Sequence, residues 1–152
     1  MKNRNAMVID VDDIKIHVIR IKAGDYFSLT NILKASSSKV HVSDWLRTKR
    51  TLLMMFEWEE AHNRKFNCGE FATIMQMIDG QGIKNFKLSA SEWIERTSAI
   101  GLMVTEGRDR ATYGQRDIAL EFAGWVNPLF RRWLSDAIRR RIDGELSWLT
   151  AS

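Results

Sequence analysis

Cysteine is nearly missing from this 152-residue sequence. Cys68 stands alone, so no internal disulfide framework exists, and a reducing, intracellular setting is expected. Proline occurs once, at Pro128, and glycines are sparse, which leaves little material for a flexible linker. No run of eighteen apolar residues is present, so no membrane contact through a spanning helix is expected. The first five residues lead into aspartates and alternating charge instead of an apolar signal core. Histidine is scarce too: His17, His41 and His62 are scattered, and neither they nor Cys68 fall at zinc-ligand spacings. Gly80-Gln81-Gly82 lacks the glycine, lysine and hydroxyl residue of a phosphate loop. No serine or cysteine sits in a nucleophile elbow. Glu57, Glu59 and Glu60 read as a solvated helix face pairing with Arg64 instead of acid–base machinery. No catalytic residue, metal site or cofactor is therefore expected, and the chain is not read as an enzyme.

What is present is an ordinary globular balance, 45% apolar and 28% charged, with length enough for one sizeable core. A single domain over residues 1–152 is expected, with its core at about residues 7–142 and a tail at 143–152. The net charge is +4 and the pI near 9.4. Residues 1–75 hold 12 basic and 9 acidic side chains and the remainder 11 and 10, so a cationic surface has to be assembled by folding. Mild basicity suits a polyanionic partner, though many proteins without one share it.

Period-two alternation over residues 7–21, broken at Asp12-Asp13, predicts a β-hairpin. Gly24-Asp25 is expected to turn before a third strand at Tyr26-Phe27. Ser28 or Thr30 then caps a short helix with Leu29, Ile32 and Leu33. A loop at residues 36–39 precedes a helix capped by Ser43, and helical character runs on through Leu52, Met55, Phe56 and Glu59. After a break at residues 63–67, Phe71, Ile74, Met75 and Ile78 mark another helix, ended by the segment 79–82. Ser89-Ala90-Ser91-Glu92 matches a capping box, and Ala90, Trp93, Ile94 and Thr97 share the face behind it. Residues 102–104 and 112–113 form a hairpin with a charged tip. Residues 117–126 are a helix with Ile118, Phe122 and Trp125 on one face. Asn127-Pro128 opens the last helix, whose stripe is Phe130, Trp133, Leu134, Ala137 and Ile138, with Arg131, Arg132, Arg139 and Arg140 outside it and Gly144 at its end. Five tryptophans, Trp45, Trp58, Trp93, Trp125 and Trp133, are expected to pack in the core. Trp148, in a polar tail, is left open.

The basic residues concentrate interest on residues 96–122. Arg96 lies on the helix before the hairpin, Arg108 and Arg110 at its tip, and Thr112, Gln115 and Arg116 on or just past the returning strand. Arginines on a short hairpin suit a minor groove or phosphates. Gln115 suits an adenine edge and Thr112 a phosphate oxygen, and a helix N-terminus nearby supplies N–H donors for an anion. The same stretch also reads as an exposed turn kept soluble by a self-neutralising Arg108-Asp109-Arg110. These residues alone do not choose between the two.

A wider pattern does. Asp25-Tyr26-Phe27-Ser28-Leu29-Thr30 is followed by Trp45-Leu46-Arg47. Next come Trp58-Glu59, Asn63, Phe66-Asn67 and Glu70-Phe71. Then follow Trp93-Ile94, Thr97, Ala99-Ile100-Gly101-Leu102, Gly107-Arg108, Thr112-Tyr113, Asp117-Ile118-Ala119, Glu121-Phe122-Ala123, Trp125 and Pro128. In this order they resemble the KilA-N domain of phages, bacterial mobile elements and large DNA viruses. The resemblance runs from about residue 25 to residue 140. It implies a DNA-binding α+β fold related to the fungal APSES domains: an N-terminal β-hairpin with several helices and a winged-helix-like helix–hairpin–helix C-terminal half. It also implies a regulatory role in a bacterial cytoplasm, with double-stranded DNA as partner. Residues 102–113 would be the wing, contacting DNA through Arg108 and Arg110 with Arg96, Thr112, Gln115 and Arg116. The chain departs from the family at Asp109-Arg110, where Gly-Gly is common, and at Gly114-Gln115, where Ala-His is. The alternative reading is a protein-interaction module, an antirepressor that captures a regulatory protein.

Overall fold

The computed structural model describes residues 5–82, 84–108 and 110–144. Its first turn is set by two aspartates. Asp12 and Asp13 have φ of 49° and 67°, the pair of left-handed residues that matches a two-residue hairpin turn to the twist of its strands. They join β1 (Asn5–Val11) to β2 (Ile14–Ile21), which pair antiparallel from Asn5 opposite Arg20 to Val11 opposite Ile14. A second reversal leads into β3 (Gly24–Ser28), antiparallel to β2. The bend falls at Lys22-Ala23, one step before the expected Gly24-Asp25, and Gly24 at φ 131° already belongs to the strand. Ile9, Val11, Ile16, Val18 and Phe27 are buried. Ile19, which alternates with them at the positions of Lys15 and His17, is buried as well.

The fold is α+β, and it consists of two compact units. Unit 1 is Met1–Lys39 with Gln115–Ser152, and unit 2 is Val40–Gly114. In unit 1 the three strands are followed by α1 (Leu29–Ile32), whose N-cap Ser28 accepts from the Asn31 N–H, and by a 3-10 turn, Leu33–Ala35. The same unit holds α2 (Arg116–Val126) and α3 (Pro128–Ala137), which in chain order come after the helices of unit 2. Ile118, Ala119, Phe122, Phe130 and Leu134 are buried. Asn127 caps α3 by accepting from the N–H groups of Leu129 and Phe130, with Pro128 at the first position, where no donor is needed. Trp125 and Trp133 depart from expectation at 41% and 36% exposed. Each sits at the edge of its helix's apolar stripe, where the flanking positions already fill the core.

The last helix does not stop at Ala137. A π-helical segment, Ile138–Asp143, continues it with Ile138 and Ile142 buried, and Gly144 keeps helical angles. Of the expected tail, residues 145–152, Trp148 included, lie outside the described residues.

Among its described residues unit 2 has four helices: α4 (Val42–Trp45), α5 (Lys49–His62), α6 (Cys68–Gln81) and α7 (Ala90–Thr97). The first begins one residue before the expected cap. His41 is its N-cap, and the His41 N–H donates to Asp44 Oδ2 at 2.9 Å. The unit's core has an aromatic cluster: Phe66 and Phe71 contact each other and both Phe56 and Trp93, and Trp93 is fully buried. The α7 capping box forms as expected, Ser89 Oγ accepting from Glu92 N–H and Glu92 Oε1 from Ser89 N–H, both at 3.1 Å. Beyond α7, β4 (Leu102–Val104) and β5 (Thr112–Gln115) pair from Leu102 opposite Gly114 to Val104 opposite Thr112.

Candidate nucleic-acid interface

The β4–β5 hairpin begins from a fixed base. Glu59, expected on a solvated face, is fully buried near the end of α5. Its carboxylate accepts from the backbone N–H of Ile100 at 3.1 Å and of Gly101 at 2.7 Å, and from Asn63 Nδ2 at 2.8 Å. Three donors around one carboxylate replace the water it gives up. Ser98, at φ 60°, ends α7 in the left-handed conformation, and Asn63 Nδ2 also donates to its carbonyl. The chain thus turns from α7 into β4 across a carboxylate reached from another helix.

At the tip, Thr105 Oγ1 accepts from the Ala111 N–H at 3.0 Å and donates to the Ala111 carbonyl at 3.3 Å, while the Thr105 N–H donates to that carbonyl at 2.9 Å. One threonine therefore clamps both sides of the loop. Gly107 at φ 100° takes the backbone angle that residues with a Cβ avoid. Arg108 is exposed and has no hydrogen bond or ion pair with a described residue. Arg110 is exposed and donates from Nη2 to Ser91 Oγ at 2.9 Å, which orients its guanidinium against the start of α7 and leaves further N–H groups open. Thr112 is half-buried beside it. Asp109 lies outside the described residues.

The remaining residues singled out in the sequence are engaged within the fold. Arg96 donates from Nε to Glu70 Oε1 at 2.9 Å and reaches Met77 sulfur. In unit 1, Gln115 is the N-cap of α2, its Oε1 accepting from the Asp117 N–H at 2.8 Å. Arg116 holds Asp143 with both terminal nitrogens, at 3.0 and 2.9 Å, and Asp25 at 3.4 Å. Asp25, with its side chain 10% exposed, also takes a two-nitrogen contact from Arg20. Arg20, Asp25, Arg116 and Asp143 form a closed network linking β2, β3, α2 and the π-helical segment.

Two shallow clefts in unit 2 share Ser43 and Ser89. One, of about 380 Å³, is lined by Asp44, Arg47, Lys87, Leu88 and Glu92 as well. The other, of about 180 Å³, is lined by Val42, Ala90, Ser91, Val104, Arg110 and Thr112 as well. Arg47, Lys87 and the hydroxyl groups of Ser43, Ser89 and Ser91 thus join the hairpin residues, and none of these had been singled out for this role. The available signal was Lys87, a cation two residues ahead of a helix cap. Arg47 contacts Asp44 at 3.5 Å and the Lys84 carbonyl at 3.4 Å, whereas Lys87 is exposed. The arrangement offers guanidinium, ammonium, hydroxyl and helix-start donors, the set used on phosphate oxygens. Among the described residues no three histidines, cysteines or carboxylates cluster as a metal site, and no helix is long and apolar enough to cross a membrane.

The family profile of the KilA-N domain matches residues 9–144. No curated protein and no solved structure matches the chain.

Proposed function

The chain belongs to the KilA-N domain family, a family of DNA-binding domains, and on that premise we propose that it is a regulatory protein of a phage or mobile element that binds duplex DNA through the β4–β5 hairpin and the start of α7. The observation that carries the site is Arg108: exposed, without an ion-pair partner among the described residues, at the end of a hairpin whose base is pinned by Glu59. Arg110, Lys87 and Thr112 flank it as phosphate contacts. Arg96, Gln115 and Arg116 serve in the same reading by holding the elements in place. No catalytic step is assigned, and the DNA partner is bound, not altered.

The test is equilibrium binding to a mixed-sequence duplex over a salt titration. Each neutralised phosphate contributes about 0.9 to the slope of log affinity against log salt. Arg108→Ala with Arg110→Ala is expected to weaken binding roughly tenfold and to flatten the slope by about 2, with the melting temperature unchanged. Wild-type affinity and slope in that variant would overturn the hairpin assignment. Absence of duplex binding by the wild type at low salt would overturn the DNA reading in favour of capture of a regulatory protein.

A further inference from the structure

The positive charge of this protein is not at the hairpin. Residues 105–111 sum to zero, Glu106 and Asp109 against Arg108 and Arg110. The stretch from α3 through the π-helical segment, residues 128–143, holds five arginines, no lysine and two aspartates, a net +3. All five arginines, Arg131, Arg132, Arg139, Arg140 and Arg141, are exposed.

Their internal engagements are incomplete. Arg131 lies 3.7 Å from Glu121, passing over Gly124, where an added Cβ would meet its Cδ at 3.0 Å. Arg139 pairs with Asp136, and Arg140 Nε only reaches the Asp136 carbonyl at 3.5 Å. Arg132 and Arg141 make no ion pair with a described residue. Asp143, the second acid of the stretch, is already taken by Arg116. Ile138 and Ile142 are buried, and the three consecutive arginines between them are all exposed.

We infer that this face of α3 and the π-helical segment is a second phosphate-binding surface that holds the DNA backbone without reading sequence, a reading that rests on the duplex-binding function proposed above. Charge complementarity names the occupant, and the residue type narrows it. Guanidinium forks match phosphate oxygens two at a time and are weakly hydrated, whereas a face meant only for solubility has no need to be all arginine. Backbone contact of this kind supplies affinity and salt dependence while base contacts elsewhere supply preference.

The experiment compares three full-length proteins on mixed-sequence duplex over a salt titration: wild type, Arg132→Ala with Arg141→Ala, and Arg108→Ala with Arg110→Ala. Thermal melts confirm folding, and Arg132→Lys with Arg141→Lys controls for charge. The Arg132/Arg141 alanine variant is expected to lose several-fold in affinity on every duplex, with a slope lower by about 2, and the lysine variant to recover most of the slope. Wild-type binding by that alanine variant, with loss in the Arg108/Arg110 variant, overturns the second surface and leaves the hairpin reading intact. Loss in the Arg132/Arg141 variant alone supports the second surface and overturns the hairpin assignment. Polyglutamate that competes as well as duplex for the arginine-dependent part would overturn the phosphate assignment in favour of an acidic protein partner.

Discussion

The β1–β2 and β4–β5 hairpins of this protein are built to opposite specifications. The β1–β2 hairpin has seven paired positions closed by a two-residue turn, Asp12-Asp13. The β4–β5 hairpin has three paired positions, and a seven-residue loop, 105–111, follows them. In the first, register and turn geometry hold the chain, and the tip is acidic and short. In the second, the ladder is too brief to stand alone, so its order comes from outside the strands, from Glu59 at the base and Thr105 at the tip. A hairpin that borrows its rigidity is able to spend its loop on exposed arginines. One held by its own ladder has no residues to spare.

Removing the borrowed support has the largest expected effect. Glu59→Ala takes the acceptor from the backbone N–H groups of Ile100 and Gly101 and leaves the Asn63 amide only the Ser98 carbonyl, and is expected to cost about 2–4 kcal/mol in denaturant unfolding. The amides of Leu102–Val104 should exchange faster, while those of β1 and β2 keep their protection. Equal loss of protection in both hairpins would break the contrast. Next comes Arg116→Ala. With Arg116 tied to Asp25 and Asp143, it is expected to lose about 1–2 kcal/mol of stability, discounted for partial exposure, yet to change duplex affinity less than the Arg108/Arg110 pair does. An affinity loss larger than that pair's would make Arg116 a DNA contact after all.

The β1–β2 turn provides a stabilising counterpart. Asp12→Asn with Asp13→Gly places the preferred pair at the two left-handed positions, and the denaturation midpoint should rise by the equivalent of about 1 kcal/mol. The smallest effect is Thr105→Val, which keeps the shape and removes the clamp on Ala111. It should cost about 0.5–1 kcal/mol and lower duplex affinity modestly through a looser tip. Unchanged exchange at Ala111 in that variant would mean that the strand pairs alone order the loop.

The elements were legible from the sequence wherever a local rule decides them. The Asp12-Asp13 turn, the Ser89–Glu92 capping box, the Asn127-Pro128 start and the periodic face of α6 all follow from neighbours a few residues apart. The candidate site was legible only in its outline. Arg96 and Arg116 carry the same side chain as Arg108, and nothing local announces that Glu70, Asp25 and Asp143 will engage them. Trp125 and Trp133 were misread for a related reason: an apolar stripe has edges, and which edge is covered depends on what packs against it.

The order of dispersed motifs in the sequence carried the family and with it the α+β class, and the Asp12-Asp13 turn and the caps at Ser89 and Asn127 were determined locally, because each depends on backbone angles and hydrogen bonds within a single turn of chain. Only the tertiary structure decided the fate of the charges. Glu59 passed from an expected solvated face to a buried pin because residues 100 and 101, some forty positions away, bring it two N–H donors. Arg116 was neutralised and Arg132 left open by the same kind of distant choice. Pairing of charges is a matter of proximity in space, which periodicity along one helix does not encode.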